Sequence, residues 1–60
     1  MFAIAFDGFI QTARYATIGE ARVQWKKDIL NRFLYEYDCS VYELDDSGKI
    51  VRIVGYEELK

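Results

Sequence analysis

An Asp-Gly pair at positions 7 and 8 stands between two apolar-rich runs, Phe2-Ala3-Ile4-Ala5-Phe6 and Phe9-Ile10-Gln11-Thr12-Ala13-Arg14-Tyr15. Both residues tolerate positive φ, which a two-residue turn with the twist of a β-hairpin requires, so residues 2 to 15 are expected to form a hairpin. Closing the turn there pairs Phe6 with Phe9, Ile4 with Gln11 and Phe2 with Ala13. Phe2, Ile4, Phe6, Phe9, Ala13 and Tyr15 then share one face, and the smaller, more polar Ala3, Ala5, Ile10, Thr12 and Arg14 share the other. Gln11 is a misfit on the larger face.

The next signal is Thr17-Ile18-Gly19-Glu20. It has the form of a capping box, in which the Thr17 hydroxyl accepts from the Glu20 amide and the Glu20 carboxylate reaches back to the Thr17 amide. No proline follows, and Trp25, Ile29, Phe33 and Tyr37 recur at spacing four, which predicts a helix from Ile18 to about Tyr37. Its apolar positions, which include Ala21, Val23, Leu30 and Leu34, spread over an arc of roughly 220°, wider than the stripe of a little over 100° that a core-facing helix needs. Either the Val23, Leu30 and Leu34 side or the Trp25 side is therefore left for a second contact. Asp28 and Arg32, four apart with the acid first, form a helix-surface pair.

A second hairpin follows. Cys39 to Leu44 and Ile50 to Val54 flank Asp45-Asp46-Ser47-Gly48-Lys49, with Asp46 and Ser47 central in a type I turn and Gly48 left-handed. Leu44 is expected opposite Ile50, Tyr42 opposite Arg52 and Val41 opposite Ile53. One face then carries Tyr42, Leu44, Ile50 and Val54, the other Cys39, Val41, Val51 and Ile53. A strand pair apolar on both sides is usually covered on both sides, which one helix cannot do. The tail from Gly55 to Lys60 is expected to fray or to form a single helical turn. The elements add up to an α+β fold in the order β-β-α-β-β: a four-stranded, mainly antiparallel sheet with one long helix packed on one face, residues 1 to 60 forming one domain.

Composition decides what such a fold can do. Ten of the side chains are aromatic, there is no histidine or proline, and Cys39 is the single cysteine. Rings supply packing and docking area, and Tyr and Trp add a polar tip suited to half-wet contacts. Histidine, the side chain that titrates near neutrality, is missing, and one thiol makes neither a cysteine-rich metal site nor an internal disulfide. No enzymatic activity, metal or cofactor is expected. The other clusters have plain explanations: Asp45-Asp46-Ser47-Gly48 lacks the alternating acids and closing glutamate of a calcium loop, Glu57 and Glu58 diverge as neighbours must, and the glycines are too scattered to cradle phosphate.

A 60-residue domain buries only about 60% of its unfolded surface and is marginal alone. A dense core or oligomerisation is what remains to stabilise it. No apolar run approaches the ~20 residues of a membrane-spanning helix, and the single cysteine fits a reducing compartment, so a cytoplasmic, membrane-free location is expected. The net charge of -2 is uneven: residues 38 to 60 hold six acids against three bases.

Surplus apolar and aromatic surface without catalytic groups predicts a protein-interaction module that docks on or occludes another protein, and a homodimer. Small occluding proteins of this style are encoded by phages and mobile elements against host or defence machinery. In placing the rings, Phe2, Phe6, Phe9, Tyr15, Phe33 and Tyr37 are assigned to the core. Trp25, Tyr35, Tyr42 and Tyr56 are left as docking anchors, with Asp45 and Asp46 as an acidic recognition edge. The alternative partner is nucleic acid, held by a basic patch of Arg14, Arg22, Lys26 and Lys27.

Overall fold

The computed structural model of the chain describes all 60 residues. Four strands, β1 (Phe2–Phe6), β2 (Phe9–Ile10), β3 (Cys39–Leu44) and β4 (Ile50–Ile53), form one antiparallel sheet in the order β2-β1-β3-β4. The helix α1 (Ile18–Arg32) packs across one face, and a short helix α2 (Tyr56–Leu59) closes its flank. No helix is long and apolar enough to cross a membrane.

Local chemistry fixes the turns. Asp7 and Gly8 both take positive φ, 50° and 86°, and Phe6 pairs with Phe9. In the second hairpin the Gly48 amide donates to the Asp45 carbonyl at 3.0 Å, which puts Asp46 and Ser47 at the centre of the turn, and Gly48 has φ 87°. One Asp45 carboxylate oxygen accepts from the Ser47 amide, the Ser47 hydroxyl and the Lys49 amide at 2.7 to 2.9 Å, locking the loop.

The first hairpin departs from the expected register after Ile10. The Gln11 amide still donates to Ile4, but the chain then leaves the sheet and returns two residues late, so Phe2 bridges Tyr15 instead of Ala13. Gln11 and Arg14 explain the detour: the Gln11 amide group donates to the Phe9 carbonyl, and Arg14 donates to the carbonyls of Gln11 and Ala13. These side chains satisfy the bulging segment locally. The second hairpin also shifts. Leu44 faces Ile50, but a bulge makes Val51 an extra residue, so Glu43 faces Arg52 and Tyr42 faces Ile53. The shift moves Arg52 to the helix side and Ile53 to the opposite side. Val54, whose amide donates to the Val41 carbonyl, joins the core on the helix side.

The helix starts where expected and stops early. Thr17 caps it by accepting from the Glu20 amide at 3.2 Å, while the Glu20 carboxylate accepts from Ala16 and not from Thr17. It ends at Arg32 because Phe33 turns left-handed, φ 55°, with the Phe33 and Leu34 amides both donating to the Ile29 carbonyl. A 3₁₀ turn (Glu36–Asp38) then leads into β3. The Asp28 to Arg32 pair does not form: Asp28 accepts from Gln24, and the Arg32 guanidinium lies 4.7 Å over the Phe6 ring.

The core lies between α1 and the sheet, where Ala21 and Trp25 meet Ile4, Cys39, Val41, Val54 and Leu59. Phe2, Phe6, Tyr15, Ile18, Ile29 and Leu34 pack around it, half-buried. Ala21 brings the helix backbone close, and Trp25 fills the space beside it. Full burial of an indole is worth about 3 kcal/mol. Leu59 is fully buried, so the tail does not fray. It is pinned by Glu58, whose carboxylate accepts from the Gly55 amide at 3.1 Å and from Arg52 at 2.8 and 3.2 Å, and Arg52 also binds Glu43 at 2.7 Å.

Candidate docking surface

The rings are sorted differently from their sequence assignment. Trp25, expected as an exposed anchor, is 2% exposed, and its indole N–H donates to the Cys39 carbonyl at 2.6 Å. Three rings expected in the core stand in solvent: Phe9, Phe33 and Tyr37. Each correction has a backbone cause. Phe9 sits on a two-residue edge strand beyond the reach of α1. Phe33 and Tyr37 belong to the spacing-four line only if the helix continues, and it ends before both.

The early stop gathers apolar side chains at one end of the molecule. Leu30 is on the last turn of α1, Phe33 occupies the left-handed cap and is 92% exposed, and Tyr35 and Tyr37 follow, both exposed. The two tyrosine rings stack with centroids 5.3 Å apart and planes 5° from parallel. Stacking on each other holds both rings in defined positions outside the core. Val23, seven residues before Leu30 on the same side of α1, is also exposed, which is the left-over side that the wide apolar arc predicts.

Beside this end lies an open groove of about 450 Å³. Trp25, Ile29 and Leu30 form its apolar lining, and Lys26, Lys60 and Glu36 supply charges of both signs. Trp25 thus backs the groove without projecting from it. Tyr56 stands against the indole, ring centroids 6.3 Å apart and tilted by 32°. Partial burial raises the Tyr56 hydroxyl pKa, and the nearby Asp38 and Glu36 carboxylates raise it further.

The remaining sequence candidates are dispersed. Tyr42 is half-buried on the sheet face away from α1, where its partner across the ladder is Ala3. Asp45 is occupied inside its turn, and its three donors, the Ser47 hydroxyl foremost, hold its carboxyl below the usual range. Asp46 is exposed on the same turn. The basic set does not assemble as a whole: Arg22, Lys26 and Lys27 are exposed on α1, whereas the Arg14 guanidinium is bound to carbonyls of its own loop. Cys39 is fully buried, and removal from water pushes its thiol up to about 11, with Asp28 adding to the shift. A thiol of that kind is a packing group and not a nucleophile at neutral pH.

The chain matches no protein-family model, no curated protein and no solved structure.

Sequence reasoning missed Phe33 and Tyr37 as surface residues because it ran the helical period past the cap, whereas Leu30 lies on one of the two sides it left for a second contact. No glycine or asparagine marks the stop. Its only local trace is Leu34 after Ile29, the apolar pair that flanks a left-handed cap.

Proposed function

We propose that this chain is a non-enzymatic docking module that seats its exposed aromatic end, Leu30, Phe33, Tyr35 and Tyr37, on another protein. The observation that carries the reading is Phe33. A left-handed cap favours glycine, and holding any other L-residue there costs about 1–2 kcal/mol. Phe33 receives no packing in return, since 92% of its surface is in solvent. A strained position occupied by a large exposed ring is accounted for by what that ring meets outside the chain. The neighbouring groove of about 450 Å³ offers an apolar lining to side chains of the partner, with Lys26, Lys60 and Glu36 available to its polar groups.

The test is affinity capture from a lysate of the native host with the unmodified chain and with a Phe33→Ser, Tyr35→Ser variant, with and without nuclease. The unmodified chain retains a discrete protein, nuclease leaves it in place, and the variant loses it. Equal retention by the variant would overturn the assignment, and release by nuclease would transfer it to a nucleic-acid partner at Arg22, Lys26 and Lys27.

A further inference from the structure

We infer that the outer flank of α1 continues the docking surface, and that its occupant is an acidic amphipathic helix of the partner protein. The inference rests on docking through the aromatic end and names the chemistry of what docks there. At about 100° per residue, Arg22, Lys26, Leu30, Val23 and Lys27 fall within an arc of roughly 140° that begins beside the buried Trp25. All five are exposed, and none is an acid. The acids of α1, Glu20 and Asp28, fall outside the arc and are already engaged, Glu20 by the Ala16 amide and Asp28 by the Gln24 side chain.

Three observations select the occupant. First, the bases of this flank are free. The ion pairs of the chain are those of Arg52 with Glu43 and Glu58, Arg14 is bound to carbonyls and Arg32 lies over Phe6, whereas Arg22, Lys26, Lys27 and Lys60 pair with no carboxylate. In a chain of net charge -2 they make a local positive excess, and Glu36 is the one acid that lines the adjoining groove. Second, apolar surface is interleaved with these charges. Val23 and Leu30 are exposed between the bases, and Trp25, Ile29 and Leu30 line the groove. A phosphate backbone would bring a charge to each of these apolar positions, whereas an amphipathic segment brings a side chain of matching kind. Third, the flank is helical and offers no strand edge. An extended segment laid on it would leave its amides and carbonyls without ladder partners, and a helix brings its own hydrogen bonds already made. Arg22, Lys26 and Leu30 rise one turn apart, about 6 Å, so a helix lying alongside presents its side chains at the same interval.

Carboxylates of the partner then meet Arg22, Lys26, Lys27 and Lys60, and its apolar stripe lies over Trp25, Ile29 and Leu30 and runs on to Phe33. Charges at such a rim set orientation and exclude basic partners more than they add affinity. The chain as a whole is negative, so salt screens its overall repulsion of an acidic partner together with the attraction of this flank. Charge reversal, and not salt, is therefore the informative perturbation.

Fluorescence anisotropy tests this with two labelled synthetic helical peptides that share one leucine stripe, one with glutamate and the other with lysine at the flanking positions, and with a labelled oligothymidylate. The unmodified chain should bind the glutamate peptide at least about tenfold more tightly than the lysine peptide, and an Arg22→Glu, Lys26→Glu, Lys27→Glu variant should reverse the order. All three positions are exposed, and an unchanged far-ultraviolet dichroism spectrum checks the fold. If that variant unfolds, Lys26→Gln with Lys27→Gln should narrow the preference to about threefold or less. Equal binding of the two peptides, binding of neither, or a preference that survives the reversal overturns the inference. So does binding of the oligothymidylate alone, which would transfer the flank to nucleic acid, or a chain dimeric by light scattering and monomeric when reversed, which would assign it to a second copy. The two readings fail separately. A lysate partner retained by the Phe33→Ser, Tyr35→Ser variant removes docking through the aromatic end, whereas a partner lost by that variant but kept by the charge-reversed chain removes only the acidic helix.

Discussion

Replacing Phe33 with glycine should make the protein more stable, against the usual effect of removing a large apolar side chain. The residue sits at φ 55° with its side chain in solvent, so truncation removes backbone strain and almost no packing. Relief of the left-handed conformation is worth about 1–2 kcal/mol. The greater freedom of glycine in the unfolded chain takes back about 0.5–1 kcal/mol, leaving a net gain of about 0.5–1 kcal/mol. At about 2.1 cal/mol/K per residue, a chain of 60 residues has an unfolding entropy near 0.13 kcal/mol/K, so that gain raises Tm by about 4–8 °C. Thermal melts followed by circular dichroism measure it, with Phe33→Ala as the control that removes the ring but keeps the strain, and it should leave Tm nearly unchanged. If α1 instead ran on through Phe33 towards Tyr37, glycine would interrupt a helix and cost about 1 kcal/mol. A fall in Tm for Phe33→Gly would therefore refute the early stop and the exposed aromatic end built on it.

Other outcomes follow from the core and the charged clusters. Trp25→Phe should lower stability by about 2–4 kcal/mol, because the Cys39 carbonyl loses its buried donor and a void opens, and chemical denaturation would show this as a lower midpoint at unchanged slope. Cys39 at pH 8 should react with a thiol reagent at least about 100-fold more slowly than a free cysteine, since raising its pKa from 9.0 to about 11 cuts the thiolate by that factor, and should react promptly in denaturant. Glu58 and Asp45 have folded pKa values held below their ordinary 4.5 and 3.8, by the Arg52 guanidinium and the Ser47 hydroxyl respectively. Their stabilisation is complete above the unfolded values and is lost as pH falls through the folded ones. Tm should thus decline as pH drops below about 4.5, and less steeply in Glu58→Gln, which also loosens the hold on the tail.

How much of this was legible in the sequence depends on how local the cause is. The Asp7-Gly8 turn, the Thr17 cap and the Asp45 to Gly48 loop are set by residues within four positions of each other, and all three are where the sequence puts them. The four-stranded sheet and its covering helix follow from those boundaries. The Val51 bulge was not legible, because it is a compromise between the turn and the pull of Glu43 and Glu58 on Arg52 across the chain. Leu59 was missed as a core residue because its burial depends on contacts far away in the chain, the Arg52 guanidinium that holds Glu58 and the core cluster with Trp25. The exposed aromatic end was half legible: Tyr35 was already expected outside the core, whereas Phe33 and Tyr37 needed the position of the cap, which a phenylalanine does not announce.

Phe33→Gly also separates stability from docking, because the variant should melt higher while presenting less to a partner. The decisive measurement is the Kd of the captured partner for the unmodified chain and for Phe33→Gly, titrated at low and at physiological salt. The loss of one anchoring ring should weaken binding at least about tenfold, close to 1.4 kcal/mol, and an apolar contact should change less than about threefold with salt. Equal affinity for the two proteins, or binding that collapses as salt rises, would contradict docking through the aromatic end.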